Sequence, residues 1–368
     1  MKLIILKNHL KVGLDAVGRA TVSNLNLPIL GNILIKTINN QIKLSATNLE
    51  IAITKTVYGK IIEDGNVTIP YNVLSNIVNN TTSERINLET KQNNLIIKTD
   101  NYEAKLAGIG ESEFPIIPKV KEGKDFLEIK SDVLREKLER VVIAAGISDL
   151  RPEISGVSFN LEPSELKLAA TDTFRLAEGK IPGSQIKNTF PQGFGIIVPL
   201  KTTQEVIRII SGEEPTTIFV DNNQILFKTQ DLEVVSRLIE GKFPDYNSIV
   251  PKDWDARVLV SKEELINALK LTSSLGSRVN EVRLKTGNKK VLEVYSSDNA
   301  LGENNYLVPA KINGPDTQIA FNWRYLLEGV KALSGDQVFL GLNGENKPAI
   351  INTSGDVSYF YILMPIKQ

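Results

Sequence analysis

Cysteine is absent from the 368 residues, and histidine occurs once, as His9. Without cysteine the chain can form no disulfide, no thiolate zinc site, no cysteine-ligated iron–sulfur cluster and no cysteine nucleophile. A single histidine leaves no histidine-rich metal site and little room for a serine–histidine–aspartate triad. The composition therefore excludes the commonest metal centres and hydrolytic sites.

Neither sign of charge is in excess, because 43 Lys and Arg residues balance 43 Asp and Glu residues. That balance argues against a strongly basic protein that coats nucleic acid. No apolar run approaches the roughly 20 residues that span a bilayer. Lys2, Lys7 and Lys11 interrupt the apolar N-terminus, so no signal-peptide core forms there. We therefore expect a cytoplasmic protein with no membrane segment.

The chain does contain an internal repeat. Three segments share one pattern: KLIILKNHLKVGLDAV (2–17), FLEIKSDVLREKLERV (126–141) and RVLVSKEELINALKLT (257–272). Each begins with alternating apolar residues, which is typical of a half-buried strand, and continues with apolar residues at i, i+4 and i+7, which is typical of a helix. Ser131 and Ser261 are predicted to cap the second and third helices.

A second strand-to-helix transition recurs in each third of the chain, at 66–80, 194–211 and 317–335, and short alternating strands follow it. Each third is thus predicted to be strand–helix–three strands, written twice. Many alternating strands with few helices favour an α+β fold, with antiparallel sheets and helices on one face. The predicted domains are 1–121, 122–253 and 254–368, with charged, apolar-poor linkers at 119–124 and 251–255.

Candidate chemical motifs are weak. Gly108-Ile109-Gly110 lacks the third glycine and the following helix of a dinucleotide-binding loop. The stretch Thr171–Arg175 brings a carboxylate close to a guanidinium, but a structural ion pair at a strand end explains it as well. Glu111 and Glu113 have no further oxygen ligand nearby, and His9 is predicted to be a solvated or capping residue. We therefore predict no catalytic residue, no metal, no cofactor and no enzymatic activity.

Basic residues recur on the predicted helices, away from the apolar stripe. Such residues are ordinarily solvated, but their recurrence in successive repeats supports a helix layer that faces nucleic acid. Contacts of that kind would be made to phosphates and would carry no sequence information.

Several longer stretches resemble one family over the whole length of the chain. They are LPILGNILI (27–35), ATNLEIAI (46–53), GESEFPIIP (110–118), LAATDTFRLA (168–177), VPLKTTQEVIRII (198–210), EGKFPDYNSIVP (240–251) and YFYILMPIKQ (359–368). In these stretches the chain is similar to the bacterial DNA polymerase III beta subunits, the sliding clamps. The resemblance implies three similar domains per monomer and a head-to-tail homodimer. That dimer would form a ring lined by helices and enclosed by sheets, with duplex DNA inside.

The resemblance also implies the function. A clamp of this family tethers the polymerase to DNA and raises its processivity, without bond chemistry of its own, although it is catalogued with the DNA-directed DNA polymerase. Its partners include the DNA polymerase III alpha subunit, the clamp loader and other proteins, which insert a short peptide into an apolar cleft between the second and third domains. The matching positions here are Ile154, Thr171, Arg175, Leu176, Pro244, Ile249, Ile362, Leu363, Met364, Pro365 and Ile366.

The basic residues of the predicted helices, together with the resemblance, suggest which residues face DNA and which close the ring. The predicted DNA-facing residues are Lys11, Arg19, Arg135, Arg140, Arg151, Lys201 and Arg208. The predicted dimer interface pairs a strand edge at 102–109, with Ala104 and Leu106, with one at 271–279, with Ser273 and Ser274. A neutral chain suits a ring that holds DNA by topology and slides, because many phosphate contacts would cause friction.

The chain departs from the family pattern at the cleft rim. Thr173 and Phe174 stand where Gly-His is often found, Ser248 stands where an arginine is often found, and Lys367 replaces the usual penultimate arginine. In the loop 149–153, Pro152 and Glu153 occupy positions where aromatic residues occur in the family. We expect a shifted peptide preference. The main alternative function is a repeat-built peptide-docking scaffold that does not encircle DNA, and an enzyme is a distant third.

Overall fold

The computed structural model describes residues 1–275 and 280–367. They form two compact units, each assembled from segments that are distant in the chain. Unit 1 contains residues 1–131, 187–191 and 208–238, and unit 2 contains residues 132–186, 192–207 and the chain from 239 onward.

The helices and strands follow the predicted repeat closely. The first third contains β1 (Lys2–Leu6), α1 (Lys7–Val17), β2 (Asn32–Ile38), β3 (Gln41–Thr47), β4 (Ile51–Val57), β5 (Gly59–Glu63), β6 (Gly65–Pro70), α2 (Tyr71–Asn80), β7 (Arg85–Lys91), β8 (Asn94–Lys98) and β9 (Glu103–Ala107). The middle third contains β10 (Leu127–Lys130), α3 (Ser131–Val141), β11 (Gly156–Leu161), β12 (Glu165–Thr171), β13 (Arg175–Pro182), β14 (Ile186–Asn188), β15 (Phe194–Pro199), α4 (Leu200–Ile209), β16 (Pro215–Asp221), β17 (Gln224–Lys228) and β18 (Leu232–Arg237).

The last third contains β19 (Ala256–Ser261), α5 (Lys262–Thr272), β20 (Glu281–Asn288), β21 (Val291–Asp298), β22 (Gly302–Asn313), β23 (Gln318–Asn322), α6 (Trp323–Ala332), β24 (Gln337–Leu342), β25 (Ala349–Thr353) and β26 (Tyr359–Leu363). The unit of one strand, one helix and three strands thus occurs six times. β5 and β14 are additional strands that follow the first and third of these units. The α+β architecture with antiparallel sheets is confirmed.

Unit 1 contains two antiparallel sheets. One has the strand order β5-β1-β7-β8-β9, and the other has the order β14-β10-β16-β17-β18-β4-β3-β2-β6. The second sheet is continuous across the first predicted linker because β18 pairs with β4, where Val234 lies opposite Ile53.

Unit 2 contains one sheet of twelve strands, in the order β15-β11-β12-β13-β26-β25-β24-β19-β22-β21-β20-β23. Here β13 pairs with β26, and Leu176 lies opposite Ile362. This sheet is continuous across the second predicted linker. Since both sheets cross a predicted boundary, the domain limits at 121/122 and 253/254 stay predictions.

The apolar stripes of the helices are buried as predicted. Leu10, Leu14 and Val17 of α1 are each at most 1% exposed, and the corresponding positions of α3 and α5 are equally buried. Burial of one such leucine is worth about 2 to 5 kcal/mol against alanine. Ser261 caps α5 as expected, since its side chain accepts from the Glu264 backbone N–H. Ser131 is the first residue of α3, and its hydroxyl donates to the Glu214 carbonyl at 2.7 Å.

Both predicted linkers lie outside helices and strands, but each contains an apolar residue that packs against its own unit. Val120 is buried against Phe219, Leu226 and Val235 in unit 1. Trp254 packs edge-on against Phe339 in unit 2, with ring centroids 5.3 Å apart. No helix in the described part of the chain is long and apolar enough to cross a membrane.

Candidate partner-peptide cleft

A cavity of about 210 Å³ lies in unit 2 where the predicted cleft residues converge. It is lined by Arg151, Ile154, Thr171, Thr173, Arg175, Leu176, Pro244, Asp245, Tyr246, Ile249, Ile362 and Met364. Eight of the eleven predicted positions therefore line one cavity. Of the four other lining residues, Arg151 was predicted to face DNA and Thr173 was noted only as a departure at the cleft rim. Asp245 and Tyr246 were missed, although both belong to the Phe-Pro-Asp-Tyr stretch that supported the resemblance.

The floor of the cavity is a pair of neighbouring strands. Leu176 of β13 and Ile362 of β26 face each other across the strand pair and are each 1% exposed. Ile154 is also buried, whereas Met364 is half-buried and Ile249 is exposed. The floor is therefore fixed by sheet pairing, while the flexible thioether of Met364 and the side chain of Ile249 can adapt to an occupant.

Three predicted residues do not reach the cavity. Leu363 follows Ile362 in a strand, so its side chain points to the opposite face of the sheet, where it is buried. Pro365 is buried away from the cavity lining, and the backbone N–H of Ile366 donates to the Ala320 carbonyl at 2.8 Å. Alternation along β26 thus divides the terminal apolar stretch between the cleft and the core.

The loop 171–175 forms one rim and is bonded mainly to itself. The Thr171 hydroxyl donates to the Arg175 carbonyl at 2.7 Å and accepts from the Thr173 N–H at 3.1 Å. The Asp172 carboxylate accepts from the N–H groups of Phe174 and Arg175, at 2.9 and 3.0 Å. Thr173 has a φ of 78°, in the left-handed region that favours glycine. Glycine would adopt this backbone conformation without strain, whereas threonine does not.

The guanidinium of Arg175 is held by hydrogen bonds and a ring contact within the chain. Its Nε donates to Asp172 Oδ2 at 2.8 Å, its Nη1 bonds Glu328 Oε2 of α6, and its guanidinium lies 4.0 Å from the Tyr325 ring centroid. Burial opposes its charge, but Tyr361, Glu328 and Asp172 together raise the pKa of Arg175 above its ordinary value. The side chain is 11% exposed. Arg175 thus ties the rim to α6.

The loop 241–249 forms the opposite wall. The Ile249 N–H donates to the Tyr246 carbonyl at 3.1 Å, and Asp245 Oδ1 accepts from the N–H and side-chain amide of Asn247. The Tyr246 hydroxyl donates to Glu178 Oε2 at 2.5 Å. Burial and the negative charge of Glu178 raise the pKa of Tyr246, so its proton stays in this hydrogen bond.

The predicted DNA-facing residues lie on or beside the helices and in the loop before β11. Lys11, Arg19, Lys201 and Arg208 are exposed on or beside their helices. Arg135 forms an ion pair with Glu139 at 2.8 Å, Arg140 with Glu136 at 2.6 Å, and Arg151 with Glu153 at 3.1 Å. Arg140 is also largely buried, and Arg151 lines the cleft cavity. These three offer less positive surface than the sequence suggests.

One predicted ring edge is a strand edge and the other is not. Ala104 and Leu106 lie on β9, the last strand of its sheet. The stretch from Leu271 to Leu275 is instead the end of α5 and a 3-10 turn, while residues 276–279 lie outside the described residues. The hydroxyls of Ser273 and Ser274 donate back to carbonyls of α5, at 2.9 and 2.7 Å, and so extend the helix end.

A free strand edge lies beside that turn, on β22. Residues 302–309 of β22 pair with β21, but β19 pairs only with residues 310–313. In the described chain, residues 302–307 therefore have a neighbour on one side only. Asn304 Nδ2 donates to the Leu271 carbonyl at 3.3 Å, which places this edge next to the turn that carries Ser273 and Ser274.

Among residues 1–275 and 280–367, no three or more Asp, Glu or His side chains are placed to hold a metal ion. The cleft offers apolar surface, backbone groups and fixed ion pairs. Its arrangement is suited to binding a peptide rather than to acid–base or nucleophilic chemistry.

Comparison with known proteins identifies the family. Models of the N-terminal, central and C-terminal domains of the DNA polymerase III beta subunit match residues 1–118, 128–245 and 247–367. The beta sliding clamp of Synechococcus elongatus is 29% identical over 377 residues, covering 100% of this chain and 99% of that one. The clamp of Staphylococcus aureus is 28% identical over 380 residues, with the same coverage.

Solved structures agree with this relationship. The sliding clamp of Bacillus subtilis has a TM-score of 0.94 at 26% identity, covering 100% of this chain and 99% of that one. The beta subunit of Thermotoga maritima has a TM-score of 0.90 at 25% identity, with the same coverage. The chain belongs to the DNA polymerase III beta subunit family, the sliding clamps.

Proposed function

We propose that two copies of this chain form a ring around duplex DNA and tether the replicative polymerase to it, without catalysing a reaction. The full-length likeness to the Bacillus subtilis sliding clamp, at a TM-score of 0.94, carries this proposal. Bacterial DNA replication takes place in the cytoplasm, which is where we place the protein.

The free strand edges support a head-to-tail closure. The edge at residues 103–107 of β9 and the edge at residues 302–307 of β22 are similar in length and lie in different thirds of the chain. Pairing β9 of one copy with β22 of the other, twice, closes a two-membered ring and covers four strand edges. Ala104 and Leu106 stay in this interface, with Ser273 and Ser274 beside it.

The charge on the helices supports loose contact with DNA. The six helices carry eleven basic and eight acidic residues, and α2 carries none of either sign. Such a modest excess supplies few phosphate contacts, so association depends weakly on salt compared with that of a conventional DNA-binding protein. Lys11, Arg19, Lys201 and Arg208 are candidates for these contacts because their side chains are exposed.

The cleft is the proposed docking site for partners, among them the DNA polymerase III alpha subunit and the clamp loader. Leu176 and Ile362 form a fixed apolar floor, and Met364 and Ile249 can move to fit aliphatic or aromatic side chains. A short extended peptide with such anchors matches a cavity of this size and lining.

One experiment separates a ring from a docking scaffold that never encloses DNA. We expect the mass in solution at micromolar concentration to be twice the chain mass of 40.7 kDa. Clamp loaded onto nicked circular DNA should stay bound during gel filtration and should leave when the circle is cut. A monomer that is not retained on the circle would contradict the ring, and retention on the linear DNA would indicate conventional binding.

A further inference from the structure

The wall of the cleft formed by loop 241–249 separates two cavities. Behind the loop lies a larger cavity of about 430 Å³, which is lined largely by polar and charged side chains, among them Asn160, Glu162, Lys167 and Glu178. Pro244, Asp245 and Tyr246 line both this cavity and the cleft. A single layer of loop therefore stands between the two cavities.

The loop has one hydrogen bond to the sheet among the described residues. That bond is the one from the Tyr246 hydroxyl to Glu178 Oε2, at 2.5 Å. The loop's other hydrogen bonds are internal, and the Phe243 ring packs edge-on against Tyr246 with centroids 6.1 Å apart. Within the loop, Tyr246 is therefore the residue whose side chain is hydrogen-bonded to the sheet.

The acceptor is rigid and buried. Glu178 lies in the middle of β13, between β12 and β26, and is 5% exposed. Its other oxygen lies 3.6 Å from Lys180 Nζ, which is a loose ion pair. A buried carboxylate without a good donor is costly, so Glu178 favours the loop position in which the Tyr246 hydroxyl reaches it.

Tyr246 also sets the position of the cleft residue Ile249. The Ile249 N–H is bonded to the Tyr246 carbonyl, and Pro244 lies two residues before Tyr246. If the tyrosine side chain leaves Glu178, both apolar wall residues lose their support, and the cleft can open toward the polar cavity.

We propose that the Tyr246–Glu178 hydrogen bond is a latch that holds loop 241–249 as the preformed wall of the partner-peptide cleft. Tyr246 and Glu178 are positioning residues, because they act on a bound peptide through Pro244 and Ile249. This inference rests on the proposed peptide-binding function of the cleft. A preformed wall removes the cost of ordering the loop on binding, so loss of the latch weakens affinity without removing an apolar anchor.

The test uses the full-length clamp and a fluorescent five-residue peptide with leucine and phenylalanine anchors. Tyr246→Phe removes only the hydroxyl and should raise the Kd about tenfold, chiefly through faster dissociation. Glu178→Gln keeps an acceptor oxygen and should stay within about twofold of the parent Kd. Tyr295→Phe is the matched control, because Tyr295 also donates to a carboxylate, Glu303 at 2.6 Å, but lies outside the cavity lining.

Hydrogen exchange at the Ile249 amide reports the latch directly. In Tyr246→Phe this amide should exchange faster, while amides of the paired strands β13 and β26 keep their protection. If Tyr246→Phe does not fold, Glu178→Leu removes the acceptor and its buried charge together, and it should give the same tenfold loss.

Met364→Ala distinguishes failure of the latch from failure of the cleft. If Met364→Ala weakens binding but Tyr246→Phe and Glu178→Leu leave the Kd within twofold, the latch is overturned and the cleft remains. If none of these changes alters binding, the peptide is not bound in this cleft and the underlying proposal fails. A loss in Tyr295→Phe equal to that in Tyr246→Phe would also overturn the latch.

Discussion

Two loops form opposite walls of the cleft, and they are held in different ways. Loop 171–175 connects two strands and is fixed by the Thr171 hydroxyl, the Asp172 carboxylate and the Arg175 guanidinium. Loop 241–249 lies over the face of the sheet and has one described hydrogen bond to it, from Tyr246. The first wall is built from many local bonds, whereas the second depends on a single distant partner.

The difference indicates a division of labour between the two walls. Local bonds among residues two to four apart form with the strand turn itself and resist displacement. A wall held by one bond, with a cavity behind it, can yield to a bulky side chain. We therefore expect loop 171–175 and the strand floor to fix the peptide's register. Loop 241–249 should act as a preformed wall while the Tyr246–Glu178 bond holds it, and should yield only to a side chain bulky enough to break that bond.

Breaking the rigid wall should have the largest effect. Arg175→Ala removes the ion pairs to Asp172 and Glu328 and the stacking on Tyr325. The largely buried Asp172 carboxylate then keeps only its backbone donors. We expect the free energy of unfolding to fall by about 3 kcal/mol, measured by urea denaturation. Peptide affinity should fall as well, because the rim then loses its tie to α6.

Arg283→Ala is the control for that change. Arg283 pairs with Glu281 at 2.6 Å in the same unit, but its side chain is 33% exposed and lies outside the cavity lining. We expect a loss of less than about 1 kcal/mol and no change in peptide binding. Equal losses in the two variants would show that the Arg175 network is an ordinary surface pair.

The floor gives the next largest effect, on binding rather than on stability. Met364→Ala removes a half-buried anchor contact and should cost about 1 to 2 kcal/mol of peptide affinity, with the dimer intact, as measured by fluorescence anisotropy and gel filtration. Val357→Ala, which truncates an 88% exposed residue of the same unit, should leave affinity unchanged. A loss well below 1 kcal/mol in Met364→Ala would count against the cleft as the peptide site.

Much of the fold could be predicted from the sequence because its signals are local. Alternating residues predicted β7, β16 and β24, and the i, i+4, i+7 spacing predicted the buried stripes of α1, α3 and α5. The prediction of a strand edge at 271–279 was wrong for residues 271–275. The helical spacing continues to Thr272, and Ser273 and Ser274 then form a turn instead of a strand. The free edge of β22 could not be predicted, because it depends on which strands pair and local sequence patterns do not specify that pairing.

The cleft could be predicted only in part, because its residues are distant in the sequence and local patterns do not connect them. Leu176 and Ile362 are 186 positions apart, and only the family resemblance brought them together. Tyr246 and Glu178 are 68 residues apart, and no sequence spacing links them. The ion pair between Arg175 and Glu328 joins the middle and last thirds of the chain. It could be recognised only from the structure, in which β13 pairs with β26.

Thr173 offers the smallest and most specific test of the rigid wall. Its φ of 78° is uncommon for a β-branched residue, so the bonds around Asp172 hold it in a strained conformation. Thr173→Gly relieves that strain but adds freedom to the unfolded chain, and we expect a net gain of about 0.5 kcal/mol in unfolding free energy. Thr82→Gly, at an exposed loop position without a positive φ, should instead lose stability. If both variants lose stability equally, Thr173 is not strained. The hydrogen bonds of Asp172 and Arg175 then do not have to offset any backbone strain in loop 171–175.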